Sequence, residues 1–189
     1  IEVDAHNQHI RTQTENSLRQ HAANLSALIE NTPDAVWSID RNYQLLTLNL
    51  MFQQVFMTRY GIKFQIGMNH VALLPTQEQE FWKKYYDQAL AGDRHTIELA
   101  YDAPGLPTWV EMVFSPILAP NSQVIGVSVF SRNISDRKKS DADLQDAKAQ
   151  LQAVVDAVPG CVSWFSSDLK YLGINHYLAA SFNLPPDQF

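Results

Sequence analysis

Cysteine is almost missing from this chain: Cys161 stands alone among 189 residues. One thiol forms no intramolecular disulfide, and the chain suits a reducing compartment, read here as the cytoplasm. A surplus of positive charge is missing too. Lys and Arg number 14 against 20 Asp and Glu, for a net charge of −6, and basic residues cluster only at Lys83-Lys84 and Arg137-Lys138-Lys139. That balance argues against a phosphate-binding surface, so nucleic acid is not expected as a direct partner. No apolar run approaches the roughly eighteen residues of a bilayer-spanning helix, and no signal peptide is visible. Direct membrane insertion is therefore not expected, although the chain opens at Ile1 rather than Met, which leaves room for an upstream membrane segment.

The signatures of catalysis are missing as well. There is no H-E-x-x-H, no G-x-S-x-G, no phosphate-cradling glycine loop and no C-x-x-C-H for covalent haem. Glu78 and Glu80, two apart on a helix exterior, face different ways and make no acid–base pair. The six histidines supply no metal site: His6 and His9 lie three apart on a helix, but nothing nearby completes a tetrahedral set. The surroundings of His21 do not resemble a phosphoacceptor, and His176 is assigned nothing. No catalytic residue and no metal site are expected.

What is present is a core-forming 46% of apolar residues in an ordered series of elements. Residues 1–31 contain no Gly or Pro and carry an apolar stripe at Leu18, Ala22, Leu25 and Leu28-Ile29, which predicts a helix closed by Pro33. Ala35 to Ile39 and Tyr43 to Leu48 read as a hairpin around Asp40-Arg41-Asn42. Asn49 opens a helix, and the glycines at 61 and 67 predict short helices between Leu50 and Leu74. After Pro75, Thr76-Gln77-Glu78-Gln79 fits a capping box, with Phe81, Tyr85 and Ala89, flanked by Trp82 and Leu90, as the inward face. Three strands are then predicted, over 96–101, 108–116 and 124–132. The plan is α+β with one antiparallel sheet.

The last strand runs straight into a helix. Val124, Ile125, Val127, Val129 and Phe130 predict a largely buried strand, and the lone Gly126 predicts a bulge or a close backbone approach. Asn133 or Ser135 then caps a helix, so a displaced strand must move that helix. Leu144, Ala147, Leu151 and Val154 recur at coiled-coil spacing behind this lever and, with Leu18 and Leu25 of the first helix, form the expected dimer seam.

The sequence also repeats itself. At an offset of 126 positions Leu18 falls on Leu144, Leu25 on Leu151, Pro33 on Pro159, Val36 on Val162, Leu46 on Leu172, Asn49 on Asn175 and Phe56 on Phe182. A helix–hairpin–helix pattern therefore occurs twice. The second copy lacks the later strands and cannot bury its own apolar face, so residues 161–189 are expected to be disordered or packed on a neighbour.

Ile29-Glu30-Asn31-Thr32-Pro33-Asp34-Ala35-Val36, Asn49, Val124-Ile125-Gly126-Val127 and the exit Asn133-Ile134-Ser135-Asp136-Arg137-Lys138 together resemble the PAS family of sensory domains, in tandem. The exit is similar to the family's Asp-Ile-Thr-Glu-Arg-Lys, with Asn133 in place of Asp. The resemblance implies a PAS fold: a five-stranded antiparallel sheet flanked by short helices, with signalling helices at both ends. It divides the chain into a linker helix (1–27), a PAS domain (28–134), a signalling helix (135–157) and the start of a second PAS domain (158–189). It also implies a homodimer through the flanking helices and, in the parent protein, neighbouring PAS and output domains, such as a histidine kinase or diguanylate cyclase. The fragment itself is not expected to be an enzyme. Asn133, Ile134, Ser135 and Arg137 would be the signal hinge.

Phe52, Phe56, Tyr60, Trp82, Tyr85, Phe114 and Phe130 are candidates for lining a pocket, with His70 and His95 nearby and Tyr85 or His95 placed to orient a polar group. Core packing is the simpler role for all of them. The light-sensing flavin branch of the family needs a reactive cysteine in the core, which the first copy lacks, so that branch is excluded there. No cofactor is expected by default; haem or a small organic ligand stays open. The leading expectation is a PAS module that passes a packing change into its exit helix. The alternatives are a small-molecule or haem receptor and a structural dimerisation spacer.

Overall fold

An Ala-rich polar stretch without helix breakers forms α1 (Glu2–Glu30). This computed structural model describes residues 2–101 and 104–181, with the backbone alone for 2–10 and 12; the side chains of His6 and His9 therefore lie outside the described residues, as does Phe182. After α1 come β1 (Ala35–Asp40), β2 (Leu45–Leu48), α2 (Leu50–Tyr60), α3 (Thr76–Leu90), β3 (His95–Ala100), β4 (Trp109–Leu118) and β5 (Val124–Asn133). The five strands form one sheet in the order β2-β1-β5-β4-β3, with every neighbouring pair antiparallel. This is the α+β, five-stranded antiparallel architecture with flanking helices.

Side-chain alternation puts one face of the sheet against the helices. Ala35, Trp37 and Ile39 of β1, Val110, Met112 and Phe114 of β4, and Val127 and Val129 of β5 are buried together with Phe52 and Phe56 of α2 and Trp82, Tyr86 and Ala89 of α3. Gly126 sits between β1 and β4, and a Cβ built there would meet the Ile39 carbonyl oxygen at 2.3 Å. The close backbone approach expected of it is present, and the β4–β5 register shifts between Ile117 and Leu118 beside it.

Several expectations need correction. The last strand is not buried on both faces: Val127 and Val129 point inward and Phe130 stands outward at 46% exposure, because a strand's side chains alternate, while Ile125, at 45%, is the extra residue where the β4–β5 register shifts. The capping box does not form. Pro75, not Thr76, precedes α3 and gives no side-chain cap, and Gln79 Nε2 instead donates to the Leu74 carbonyl. The buried face of α3 is Trp82, Tyr86 and Ala89, one residue round from the expected stripe, with Phe81 and Tyr85 half-buried at its side. Between α2 and α3 the chain makes turns and no further helix.

The chain divides into two compact units, 1–135 and 136–189. The second contains most of α4 (Ser135–Asp156), then β6 (Ser163–Phe165), β7 (Tyr171–Ile174) and α5 (His176–Ser181). Disorder therefore does not apply to the described part of 161–189, which forms an antiparallel hairpin and a helix. Its apolar surface stays open, with Phe165, Leu169, Tyr171, Leu172 and Tyr177 exposed.

The repeat is a repeat of bonds. Asn49 Oδ1 accepts from the backbone N–H groups of Val36 and Phe52, and its Nδ2 donates to the Asp34 carbonyl. Asn175 Oδ1 accepts from Val162 and Leu178, and its Nδ2 donates to the Gly160 carbonyl. Glu30 accepts from the backbone N–H of Leu50, and Asp156 from that of His176. Every partner is shifted by the same 126 positions.

Candidate functional site

Aromatic side chains fill the space between sheet and helices. Trp37, Phe52, Phe64, Trp82, Tyr86 and Phe114 are fully buried, and each such ring stabilises the fold by roughly 2–3 kcal/mol through lost apolar surface. A hydrogen-bonded chain runs through them. Trp37 Nε1–H donates to Tyr86 Oη at 2.7 Å, and Tyr86 Oη lies 2.8 Å from His70 Nδ1. The hydroxyl proton has no other acceptor among the described residues, which assigns Nδ1 as acceptor and places the ring proton on Nε2. His70 is completely buried, and that burial lowers its pKa from 6.5 to about 3; burial likewise pushes the Tyr86 hydroxyl up. Both stay neutral at physiological pH. His70 Nε2 and Trp82 Nε1 are buried without a hydrogen-bond partner.

Could this interior hold haem? The His70 ring centroid lies 4.9 Å from Phe56, 5.1 Å from Phe64, 5.1 Å from Trp82 and 5.6 Å from Phe52. Packed side chains occupy the place a planar macrocycle would need, so haem does not fit here. Among the described residues no group of three His, Cys, Asp or Glu side chains could hold a metal ion.

Beside the core, a cleft of about 280 Å³ opens between the end of α2, the start of α3 and β3, lined by Arg59, Gln77, Glu78, Phe81, Trp82, Leu99, Ala100 and Tyr101. The Arg59 guanidinium donates from Nη2 to Glu78 Oε1 at 2.9 Å and lies 4.2 Å from the Tyr101 ring centroid. Tyr60 Oη donates to the other Glu78 oxygen. Burial is the main cause that pushes the Tyr101 hydroxyl up to about 12.

The exit from the sheet is a third feature. Ile134 is buried at 4% exposure, and its N–H donates to the Trp109 carbonyl at 3.0 Å. Ser135 Oγ accepts from the Trp109 N–H at 3.0 Å, and Asn133 Oδ1 accepts from the Ser135 N–H at 2.9 Å. The first residue of α4 is thus tied to the first residue of β4, two strands being held at one joint.

A family model described as PAS fold matches residues 29–139. The chain belongs to the PAS fold family. No curated protein matches it. Solved structures similar to this PAS chain include the PAS domain from Bordetella pertussis BvgS, at 17% identity, covering 69% of this chain and 98% of that one with a TM-score of 0.49. A PAS domain of an HTR-like protein from Haloarcula marismortui has 17% identity, coverage of 65% and 99%, and a TM-score of 0.45. A sensory box sensor histidine kinase from Vibrio cholerae has 18% identity, coverage of 62% and 95%, and a TM-score of 0.43.

Within this PAS domain the residues singled out from sequence separate into groups. Phe56 and Trp82 belong to the central cluster. Tyr85, His95 and Phe114 form a side stack, with His95 and Phe114 nearly parallel at 5.0 Å and Tyr85 and Phe114 at 5.7 Å; His95 Nε2 is buried without a partner. Tyr60 sits by the cleft. Phe130 faces away from the core, where it lines a surface groove with Asp34 and Arg132. Asn133, Ile134 and Ser135 meet at the exit joint, and Arg137 lies in the first turn of α4. Leu18, Leu25, Ala147, Leu144, Leu151 and Val154 are all exposed. Sequence reasoning missed Trp37, Tyr86, Arg59 and Glu78. Tyr86 had a signal, the spacing of Trp82, Tyr86 and Ala89, but the neighbouring stripe of 81, 85 and 89 fits a helical period equally well.

Proposed function

We propose that this chain is a cytoplasmic PAS sensory module of a signal-transduction protein, a histidine kinase by preference, which pairs with a second copy through its flanking helices and passes a packing change in the sheet into α4. The observation that carries this reading is the exit joint, where Ile134 and Ser135 hold both backbone groups of Trp109. Each such hydrogen bond contributes about 1 kcal/mol net, and a tenfold population shift needs only about 1.4 kcal/mol of differential stability. Making or losing two bonds at this joint is therefore enough to bias the helix. The exposed leucines of α1 and α4 support the pairing, and the bond-for-bond recurrence at Asn175 supports a second PAS copy beginning near residue 158. In the parent protein, replacing both Ile134 and Ser135 by Gly should uncouple signal from output while β1–β5 stay folded. Output that remained fully regulated would refute the coupling.

A further inference from the structure

We propose that Leu18, His21, Leu25 and Leu28 of α1 pair with the same four residues of a second copy in parallel register, and that His21 makes this contact sensitive to acid. The inference rests on the pairing of flanking helices proposed above and adds its register and its regulation. The four residues follow one another at spacings of three, four and three, so they share one face of α1. All four are exposed, as are the residues around them from 13 to 28, and no described element of the chain covers that face. Offset by 126 positions, the stripe on α4 reads Leu144, Ala147, Leu151 and Val154. Three layers are apolar in both helices; the other is not, because His21 falls on Ala147. A polar side chain at one layer of a seam favours the register that sets it against its own counterpart, since other registers bury it against leucine. In a parallel pair the two His21 rings therefore meet between the layers of Leu18 and Leu25.

The charges near that layer leave the two rings to themselves. Between residues 13 and 28 the other charged side chains are Glu15 and Arg19. Arg19, two residues from His21, is turned about 200° away round the helix. Glu15 stands six residues up the helix and already accepts from Arg11 Nε at 3.2 Å. Ser17, Ala22 and Asn24, which flank the layer from either copy, are uncharged. Histidine is the side chain that ordinarily changes charge between about pH 5 and 8. Uncharged, one imidazole can donate to the other. Protonated, the pair sets like charges side by side in a contact that takes both out of water, which disfavours the charged form. Acid therefore favours the separated helices: pairing of α1 is strongest above about pH 7 and weakens as pH falls through the histidine range. The seam from Leu18 to Leu28 is about three turns long, so one layer matters. On α4 there is no histidine, and its pairing has no such dependence.

The test uses the whole chain with Cys161→Ser and a spin label at Ala23→Cys, on the helix face opposite the seam, or at Ala149→Cys, its equivalent on α4. Distances between copies are read by pulsed electron resonance at pH 7.5 and 5.5. Labels at Ala23 should give one defined distance at pH 7.5, and at pH 5.5 the association they report should weaken by about tenfold or more. With His21→Leu added, α1 should stay paired at both pH values. Equal pairing at Ala23 at the two pH values in the parent sequence, an acid loss that His21→Leu leaves unchanged, or no pairing at Ala23 at either pH would overturn the proposal. In each of those cases a defined distance at Ala149 keeps the reading that the flanking helices pair, and the absence of one at both positions removes that reading as well.

Discussion

Acid should unfold this domain through His70 by an amount that can be isolated. The ring is neutral in the fold with a pKa of about 3, against an ordinary value of 6.5. The sign follows from which state binds the proton. Above pH 6.5 neither state is protonated and the folded state keeps its full stability; as pH falls below 6.5 the unfolded chain takes up a proton that the buried ring refuses, and stability is lost until about pH 3. The loss approaches about 1.4 kcal/mol per pH unit and comes to roughly 2.3 kcal/mol between pH 6.5 and 4.5, the unfolded ring being already half protonated at pH 6.5. The one titratable group bonded to His70 is Tyr86, held neutral by its own burial, so it adds no slope in this window. Carboxylates elsewhere also titrate, and a comparison removes them. His70→Gln keeps an acceptor for the Tyr86 hydroxyl but has no proton to gain. Urea unfolding of both proteins at pH 6.5 and 4.5 should show the parent losing roughly 2–3 kcal/mol more than the variant. Equal losses would mean that His70 is protonated in the fold or solvated, and the buried neutral chain would be wrong.

Three further outcomes are expected. Gly126→Ala places a Cβ 2.3 Å from a backbone oxygen that cannot swing aside, so it should destabilise by roughly 1–3 kcal/mol or more in a denaturant melt. Val127→Asp buries a carboxylate at a completely enclosed position and should abolish cooperative unfolding of residues 28–134, followed by near-UV circular dichroism. Asn49→Ala strips the α2 cap and leaves the Val36 N–H without its acceptor; it should cost roughly 2–4 kcal/mol, whereas Asn175→Ala should leave unfolding of the first unit unchanged.

What was legible in the sequence was local or periodic. The order of strands and helices, the cap at Asn49, the close approach at Gly126 and the repeat could all be read because each depends on neighbours in the chain or on a fixed offset. The errors arose where one residue of phase decides the matter. On α3 the choice between Tyr85 and Tyr86 turns on a rotation of about 100°, and both are aromatic, so periodicity could not separate them. On β5 hydrophobicity alone groups Phe130 with Val129, whereas alternation along a half-buried strand forces one of them outward. The cleft was out of reach for a different reason: Arg59 and Glu78 meet because two helices separated by a turning segment converge, and no local pattern encodes that. The bonds between Ser135 and Trp109 likewise depend on which strand lies next to β5.

The repeat separates what is general in this module from what is particular. The bonds that recur at 126 positions belong to the joint between an entering helix, its hairpin and the next helix: Glu30 with Asp156, Asn49 with Asn175, and the backbone groups they hold. The interior recurs only in part, Phe56 falling on Phe182. Trp37 corresponds to Ser163 and Phe52 to Leu178, so the hydrogen-bonded chain from Trp37 through Tyr86 to His70 has no counterpart at its first member in the second copy. A joint that is kept while the core changes is what chained sensory modules require, because each must receive the helix before it in the same way whatever its core packs around. By that logic, changes at Asn49 or Glu30 should disturb the fold and transmission together.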